Sequence, residues 1–286
     1  MEKIIKLAVF GLDGHGPGFA HQVNTVMTNA RVVKAMPYPT AMVDENKLAL
    51  NIESTRNDGV EIVGDIAQLT KDVDGVLVLQ DDGSQHLEMA GQLVACGKPV
   101  YVDKPIEVTA ANAQALLELY RKHNCPLFSG SALRYTPEIK AVKADAESGA
   151  ILGAMTWSPY MQNPRMPGWI YYAIHAVEPL FELLGPGCVD VRCVPGQYGP
   201  TAIGRWADGR TGIARAAAGG VHGYGFTVWR EKKTVTTTVA MDTIYQGLLD
   251  AIVDFFRTGV APTPVESEVE VVAFMEKANA DMKEIG

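Results

Sequence analysis

Two short segments of the chain carry residues that could do chemistry with a bound cofactor. The first is the glycine-rich stretch Gly11–Gly18, which follows a short apolar run and precedes a helical pattern. A turn of this kind lets backbone N–H groups approach a pyrophosphate at the amino end of a helix. The second is Asp103-Lys104-Pro105, at the end of another buried run. Because Pro105 biases the preceding residue towards an extended backbone, we expect Lys104 to point into the crevice at that strand end.

The glycine turn departs from the G-x-G-x-x-G spacing of dinucleotide-binding turns. If Gly11 is the first glycine and Gly16 is the third, the middle position holds Asp13. A carboxylate there would repel a pyrophosphate unless it turned away. A glycine-rich turn that merely joins a strand to a helix is the alternative, and the strand–turn–helix context favours the dinucleotide site.

The second strand does not end in the acid that usually reads a ribose. Such an acid is expected about 20 residues after the glycines. The sequence there is Met36-Pro37-Tyr38-Pro39, and the next acid is Asp44. The sequence therefore does not distinguish NAD from NADP, and Tyr38 is a candidate to stack against the adenine.

The elements that must position these segments alternate between strands and helices over the first 130 residues. The expected strands cover 3–10, 31–36, 61–63, 75–79, 100–102 and 126–130, and the expected helices cover 19–28, 66–70, 86–96 and 109–123. This alternation predicts an α/β fold with a doubly wound parallel sheet and helices on both faces. The ligand crevice of such a sheet lies at the carboxyl ends of its strands.

The rest of the chain has a different pattern. The expected strands cover 151–158, 189–194, 202–206, 211–217, 224–229 and 234–239, and the expected helices cover 137–147, 243–258 and 267–285. Asp208-Gly209 lies between two β-rich runs and predicts a hairpin. The pattern predicts an α+β domain with one large, mostly antiparallel sheet. We expect domains at 1–126 and 127–286, with closing helices that are able to pack back on the first domain.

Composition and charge exclude several classes of protein. The 286 residues are 47% hydrophobic and 20% charged, which is not the composition of a disordered chain. A net charge of −8 lacks the basic footprint of nucleic-acid binding. The first apolar run is too short for a signal peptide, and no stretch approaches the roughly 20 apolar residues of a membrane span. We expect a cytoplasmic protein whose four cysteines are reduced thiols and hold no metal.

Several motifs together resemble the glucose-fructose oxidoreductase / inositol dehydrogenase / rhizopine-catabolism (Gfo/Idh/MocA) family. Residues 97–106, which contain Asp103-Lys104-Pro105, are similar to the stretch in which that family has Glu-Lys-Pro or Asp-Lys-Pro. Residues 130–137 look like its Arg-aromatic-x-Pro segment, and residues 168–185 resemble its Gly-…-His-…-Leu-Leu-Gly helix. The resemblance covers nearly the whole chain and is weakest after Asp190. It implies an N-terminal Rossmann domain followed by a C-terminal α+β domain.

The resemblance also implies an activity. A member of this family would be an NAD- or NADP-dependent oxidoreductase that moves a hydride to or from a CH–OH carbon of a sugar, cyclitol or related polyol. Lys104 matches the family's catalytic lysine, and His175 matches the histidine of its Asp-x-x-x-His helix pair. The aspartate of that pair is Tyr171 here, on the same helix face at i, i+4. His175 would take the hydroxyl proton, Lys104 would stabilise developing charge, and Tyr171 would hold the substrate or extend the proton relay.

Further residues complete the expected site. The cofactor is expected to contact Gly11, Leu12, Gly14, His15, Gly16, Tyr38, Leu79, Gln80, His86, Asp103 and Lys104. The substrate is expected to contact Arg134, Trp157, Arg165, Trp169 and Tyr172, since aromatic faces suit the apolar side of a sugar ring. For each aromatic residue, packing in the core is the alternative to substrate binding. For His86, the alternative to a cofactor contact is packing at the start of its helix. The acidic segment Gln80-Asp81-Asp82 replaces the family's usual Thr-Pro and makes the pocket unusually negative.

Two other functions remain open. Some relatives of this family use bound NAD transiently to hydrolyse glycosides, with tyrosine and histidine in the site, and Tyr171 near His175 motivates that alternative. The second is a non-catalytic dinucleotide or sugar-binding protein, which Asp13 and the missing acids motivate. We expect no nucleic-acid or membrane partner, and a homodimer or homotetramer that forms through the open face of the C-terminal sheet.

Overall fold

The computed structural model describes residues 3–220, 223–242 and 244–285, with side chains up to residue 282. The chain divides into two units, and each has its own sheet. Unit 1 comprises Met1–Glu107, Ala111–Ser129 and Leu249–Val265, and unit 2 comprises Val108–Ala110, Gly130–Leu248 and Glu266–Gly286. The first unit therefore reaches Ser129, just beyond the predicted boundary at 126, and also takes in a segment near the end of the chain.

The sheet of unit 1 is parallel. Its strands are β1 (Ile5–Phe10), β2 (Ala30–Met36), β3 (Glu61–Ile62), β4 (Gly75–Val78), β5 (Val100–Val102) and β6 (Leu127–Ser129). They lie in the order β3-β2-β1-β4-β5-β6, which confirms the predicted doubly wound Rossmann sheet. Every residue of β4 and β5 is buried, because helices cover both faces of the sheet. The carboxyl ends of β1, β4 and β5 meet at one edge.

The helices that join these strands are α1 (His15–Val26), α2 (Glu45–Asn57), α3 (Ile66–Thr70), α4 (His86–Leu93) and α5 (Ala110–Lys122). Helix α1 starts earlier than predicted, inside the glycine turn. Helix α2 was not predicted, because few of its residues are apolar and only Asn51 and Thr55 are buried. Its one clear sequence signal is Asp44, whose side chain caps the helix by accepting the backbone N–H of Lys47.

The sheet of unit 2 is mixed and mostly antiparallel, as predicted. Its strands are β7 (Ile151–Pro159), β8 (Cys188–Val194), β9 (Thr201–Trp206), β10 (Thr211–Ala217), β11 (Gly225–Arg230) and β12 (Thr234–Thr238). They lie in the order β12-β11-β7-β10-β9-β8, and β7 and β10 form the one parallel pair among these described strands. The predicted hairpin at Asp208-Gly209 joins β9 to β10, where Gly209 has a left-handed φ of 89°.

The remaining helices are α6 (Pro137–Ala144), α7 (Ile174–Leu184), α8 (Gln246–Thr258) and α9 (Glu266–Ile285). The predicted start of α8, Thr243, lies outside the described residues. Helix α7 packs on one face of the unit 2 sheet, where the hydroxyl of Thr156 donates to the carbonyl of Ala176 at 2.5 Å. Most of α8 belongs to unit 1, in which Phe255 packs against Phe128 with ring centroids 5.5 Å apart.

The state of the cysteines and the length of the helices relate to the predictions of reduced thiols and of no membrane span. All four cysteines, Cys96, Cys125, Cys188 and Cys193, are free thiols, as predicted. A search of the described residues finds no helix with the length and apolar character that a bilayer crossing requires.

Candidate active site

The glycine turn connects β1 to α1 at the carboxyl edge of the parallel sheet. Gly11 has a left-handed φ of 101°, and a Cβ at this position would lie 2.7 Å from Oε1 of Gln80. A Cβ on Gly16 would lie 2.2 Å from the carbonyl oxygen of Gly11. Glycine is therefore required at both positions, and the backbone of the turn stays close to the amino end of α1.

Asp13, in the place of the second glycine, points into the protein. It is 1% exposed. Its Oδ1 accepts the backbone N–H of Asp81 at 3.0 Å, and its Oδ2 accepts the hydroxyl of Thr40 at 2.8 Å. Burial, together with the charge of Asp81, raises the pKa of this carboxyl. Asp13 thus ties the glycine turn to the segment after β4, and its carboxylate is turned away from solvent.

His15, the first residue of α1, joins two acids from neighbouring strand ends. Its Nδ1 lies 2.5 Å from Oδ2 of Asp103, and its backbone N–H donates to Oδ1 of Asp81 at 3.1 Å. Burial raises the pKa of Asp103, but the imidazole outweighs it and holds that pKa well below its usual range. Burial lowers the pKa of His15, and Asp103 outweighs it, so the net shift is upward and favours the imidazolium. We name His15, Asp81 and Asp103 the His15 cluster.

The His15 cluster also has the donor atoms of a metal site. The ligand atoms of its three side chains lie within 4.8 Å of one another. Nδ1 of His15 and Oδ2 of Asp103 already lie at hydrogen-bond distance, 2.5 Å, which uses one of these atoms on each side chain.

His86 lies behind the turn that carries Lys104. Its ring is fully buried, and its two nitrogens lie 2.8 Å from the carbonyl oxygens of Pro105 and Gln80. The ring therefore links the end of β4 to the Lys104-Pro105 turn, in which the peptide bond is cis. This burial corrects the prediction that His86 contacts the cofactor, because the histidine positions backbone on either side of it. Lys104 itself is half-buried.

Three other predicted cofactor contacts have no exposed surface, namely Leu12, Leu79 and Gln80. Gln80 Nε2 donates to the carbonyl of Pro39 at 3.2 Å and to Oε1 of Gln85 at 3.0 Å. Within the described part of the chain, Oε1 of Gln80 has no hydrogen-bond partner. This orphaned acceptor faces the glycine turn beside Gly11.

Tyr38 follows β2 and is held in place by its ring and its hydroxyl. The ring packs edge-on against Phe10 with centroids 5.2 Å apart, and the hydroxyl donates to Oε1 of Glu88 at 2.6 Å. Burial and this acid raise the pKa of Tyr38. The predicted stacking of Tyr38 on an adenine stays a prediction.

In unit 2, His175 is surrounded by hydroxyl groups and aromatic rings. Its Nδ1 lies 3.1 Å from Oγ of the buried Ser131. Its ring packs edge-on against Tyr172, with centroids 4.9 Å apart, and against Tyr224, at 5.7 Å. The two tyrosine hydroxyls lie 2.8 Å apart. A hydroxyl at Nδ1 orients the imidazole without adding the negative charge that a carboxylate would bring.

Tyr171 lies in a π-helical turn, Trp169–Ala173, that precedes α7. Such a turn holds more residues than an α-helical one, so the predicted i, i+4 alignment with His175 does not apply. Tyr172 packs on the imidazole, and the Tyr171 ring lies 6.1 Å from that of Tyr172. The role of Tyr171 as a relay stays a prediction.

Two of the predicted substrate contacts are buried inside unit 2. Arg134 is 1% exposed, and its guanidinium is ion-paired with three glutamates, Glu178, Glu182 and Glu268. Trp169 has no exposed surface. These positions correct the prediction for both residues, which support the interior of the unit. We name Arg134 and its three glutamates the Arg134 cluster.

The other predicted substrate residues are accessible. Trp157 and Tyr172 are half-buried, and Arg165 is exposed on the loop after β7. The same loop lines a cavity of about 520 Å³, to which it contributes Tyr160, Gln162 and Asn163. Polar side chains beside an aromatic ring fit the predicted substrate wall, and these contacts stay a prediction.

Two residues of the site were not predicted. Ser131 lies within residues 130–137, the segment that resembles the Arg-aromatic-x-Pro motif, and directly before the turn that carries Arg134. Its position in this motif could have predicted a place in the site. Tyr224 lies directly before β11, and its contact with His175 depends on the folding of unit 2 rather than on any spacing in the sequence.

Comparison with known proteins finds a family model that matches the first part of the chain. Residues 5–131 match the Gfo/Idh/MocA family model, described as an oxidoreductase family with an NAD-binding Rossmann fold. This part of the chain is therefore similar to that family. The match covers the Rossmann sheet and ends at Ser131, so it includes both the glycine turn and Asp103-Lys104-Pro105.

Individual relatives extend the similarity beyond the first unit of the chain. The inositol 2-dehydrogenase of Paracoccus denitrificans is 27% identical over 75% of this chain and 65% of its own length. That of Acidothermus cellulolyticus is 25% identical over 58% of this chain and 47% of its own length. The chain thus spans about half to two thirds of these curated relatives. The scyllo-inositol dehydrogenase structure from Lactobacillus casei, with NAD(H) and scyllo-inositol bound, has a TM-score of 0.82 at 16% identity. The alignment includes 99% of this chain and 98% of that structure's chain, which shows a shared fold.

Proposed function

We propose that this protein is an NAD- or NADP-dependent dehydrogenase that acts on a CH–OH group of a sugar, cyclitol or related polyol. The observation that carries the proposal is the glycine turn at the carboxyl edge of the parallel sheet, next to Lys104 at the end of β5. The match of residues 5–131 to the Gfo/Idh/MocA family model and the similarity to relatives named inositol 2-dehydrogenase support it.

The residues present fit a dinucleotide. Gly11 and Gly16 leave room that a Cβ would fill, and the amino end of α1 directs backbone N–H groups at the turn. Oε1 of Gln80 is a buried acceptor at the same turn with no protein donor in the described residues. The backbone of Gly11, Gly14 and Gly16 would hold the pyrophosphate. When bound, the nicotinamide accepts or supplies the hydride.

The roles of the side chains follow from their chemistry. Lys104, a half-buried ammonium at the strand end, would hydrogen-bond the substrate oxygen and stabilise its developing negative charge. His175 would take the hydroxyl proton, since an imidazole titrates near neutral pH. Ser131 would orient the ring through Nδ1. His15 and His86 are positioning residues, because they hold Asp103 and the backbone of Pro105 on either side of Lys104.

The test begins with binding titrations of NAD(H) and NADP(H), followed by nicotinamide reduction across sugars, cyclitols and sugar acids. Lys104→Ala should lower kcat by about 10²- to 10³-fold, the range for the loss of one group that stabilises developing negative charge, and leave dinucleotide binding nearly intact. The matched control is Lys47→Ala, an exposed lysine of α2. Wild-type turnover in Lys104→Ala would contradict the proposal. Release of phenol from aryl glycosides at substoichiometric NAD would instead support the hydrolase alternative.

We also propose that two copies associate through the open face of the unit 2 sheet. Helix α7 covers the face that carries Thr156, and the neighbouring residue Met155 lies on the other face. Register aligns Met155 with Ile213 and Ile203 in one row, and Ile203 is 38% exposed. A row of aliphatic residues across three strands is suited to bury against a second copy. Light scattering should give a dimer or tetramer, and a clean monomer would contradict this.

A further inference from the structure

The amino end of α1 holds a carboxylate that belongs to the protein itself. Oδ1 of Asp81 accepts the backbone N–H of His15 at 3.1 Å. The cap residue Gly14 has no side chain to offer, and a Cβ there would lie 1.8 Å from Oδ2 of Asp81. An anion at this place is favourable, because the first N–H groups of a helix lack partners and its dipole is positive there. Asp81 is 27% exposed at its side chain, so solvent reaches this carboxylate.

The same place is where the glycine turn would receive a pyrophosphate. Gly11, Gly14 and Gly16 form the backbone of that turn, and Asp81 lies directly against the middle one. A second observation also points to a ligand here. The buried Oε1 of Gln80 has no donor in the described protein, and a buried acceptor left without a donor is costly. A ligand that brings a hydroxyl or amide donor to the turn would satisfy it.

The contacts of Asp81 allow its side chain to leave while its backbone stays. Its backbone N–H donates to Oδ1 of the buried Asp13 at 3.0 Å, which anchors the segment after β4 to the turn. The carboxylate is partly exposed, and rotation about its side-chain bonds would carry it away from Gly14 towards solvent. His15 keeps its hydrogen bond to Asp103 when Asp81 departs, so a cation remains beside the vacated helix end.

We propose that Asp81 is an internal competitor of the cofactor's pyrophosphate. Its carboxylate occupies the amino end of α1 in the cofactor-free protein and must be displaced when a dinucleotide binds, so that Asp81 lowers and thereby sets the affinity for the cofactor. The proposal rests on the proposed function, because it assigns a dinucleotide to the same turn.

The test compares wild type with Asp81→Asn, which keeps an oxygen acceptor for the His15 N–H and removes the charge. Titration with NADH, followed by its fluorescence, should give a dissociation constant about tenfold lower for the variant, the size expected for an anion at a helix end. The matched control is Asp72→Asn, in the same unit on an exposed turn whose left-handed φ of 59° asparagine tolerates. The control should bind NADH as wild type does.

Two further measurements separate charge from shape. Raising the salt concentration should narrow the difference between wild type and Asp81→Asn, because screening weakens the repulsion between carboxylate and pyrophosphate. Inorganic pyrophosphate should raise the melting temperature of Asp81→Asn more than that of wild type. Asp81→Ser, a second neutral variant, should repeat the tighter binding if Asp81→Asn folds poorly.

The outcomes distinguish this inference from the proposed function. If wild type binds a dinucleotide and neither neutral variant binds it more tightly, the inference on Asp81 is overturned and the proposed function stands. If no form of the protein binds NAD(H) or NADP(H), both fall. If only the neutral variants bind, Asp81 is the residue that withholds the site.

Discussion

Each unit contains a cluster of charged side chains, and the two clusters differ in exposure and in the balance of charge. The His15 cluster of unit 1 is open, with the side chains of His15 and Asp81 exposed by 28% and 27%. The Arg134 cluster of unit 2 is closed, and both Arg134 and Glu178 have side chains with no exposure. Solvent-exposed charged groups beside a glycine turn can exchange their ion-pair partners for a ligand. Fully buried charged groups can only stabilise or destabilise the fold.

Positive side chains of the protein face the acids of the Arg134 cluster. Burial raises the pKa of Glu268 well above its usual range; Arg134 opposes this, and the neighbouring Glu178 adds to it. The raised pKa favours the protonated form of Glu268, while Arg134 and Lys143 pair with Glu178 and Glu182. In the His15 cluster one imidazole faces the carboxylates of Asp81 and Asp103, and the charge of Lys104 acts on both His15 and Asp103. The role of Asp81 depends on its exposed carboxylate, which lies at a proposed phosphate site.

The largest expected effect on stability comes from removing the guanidinium of the Arg134 cluster. Arg134→Met should lower the free energy of unfolding by about 4 kcal/mol, because it leaves buried carboxylates without their counter-ion. Denaturant titration measures this change. Arg192→Met, the same substitution at an exposed position on β8, should cost less than about 0.5 kcal/mol. Equal losses in the two variants would show that the closed cluster adds no stability.

The next largest effect is a pH-dependent change in stability that tests whether Glu268 is protonated in the folded state. Because the pKa of Glu268 is raised in the folded state, wild type is most stable below the unfolded pKa of about 4.3 and loses stability as the pH rises towards the folded pKa. Glu268→Gln carries no titrating proton. It should match wild type near pH 4 and exceed it by about 1.4 kcal/mol for each pH unit above the unfolded pKa of about 4.3, or about 2 kcal/mol at pH 6.

The control for this titration is Glu147→Gln, an exposed glutamate of the same unit. Its free energy of unfolding should follow that of wild type across the pH range. If Glu268→Gln also followed wild type, Glu268 would be ionised in the fold.

The fold was largely predictable because its strands are buried in different ways. In unit 1 both faces of β4 and β5 are covered, so each strand is an unbroken apolar run. In unit 2 the strand β9 alternates buried and exposed residues, which the period of two reveals. Helix α2 escaped prediction because its surface is polar and its register is set by an N-cap and by packing rather than by an apolar stripe.

The site was predictable only where its residues are close in sequence. The glycine turn and Asp103-Lys104-Pro105 are short motifs, and both lie at the expected sheet edge. Arg134 was misassigned because its partners come from α7 and α9, far along the chain. No local pattern shows that three carboxylates will surround a guanidinium. An arginine in a family motif is then predicted to contact a ligand, as Arg134 was.

The smallest of the stability effects tests the His15 cluster. Asp103→Asn should lower the free energy of unfolding by about 1.5 kcal/mol at pH 5.5, because it removes a charged hydrogen bond to His15. The pKa of Asp103 is lowered in the fold, so this contribution is lost as the pH falls below about 4. The pKa of His15 is raised, so the contribution is also lost as the pH rises above about 6.5 and through the folded value.

The difference between wild type and Asp103→Asn should therefore be largest between about pH 4 and pH 6.5 and narrow on both sides. Thermal or denaturant unfolding at pH 3, 5.5 and 9 measures it, with Asp72→Asn as the matched substitution that should stay within about 0.5 kcal/mol of wild type. A difference that does not change with pH would mean that the charges of His15 and Asp103 are not coupled in the fold. Asp103 would then not stabilise a cation beside the amino end of α1.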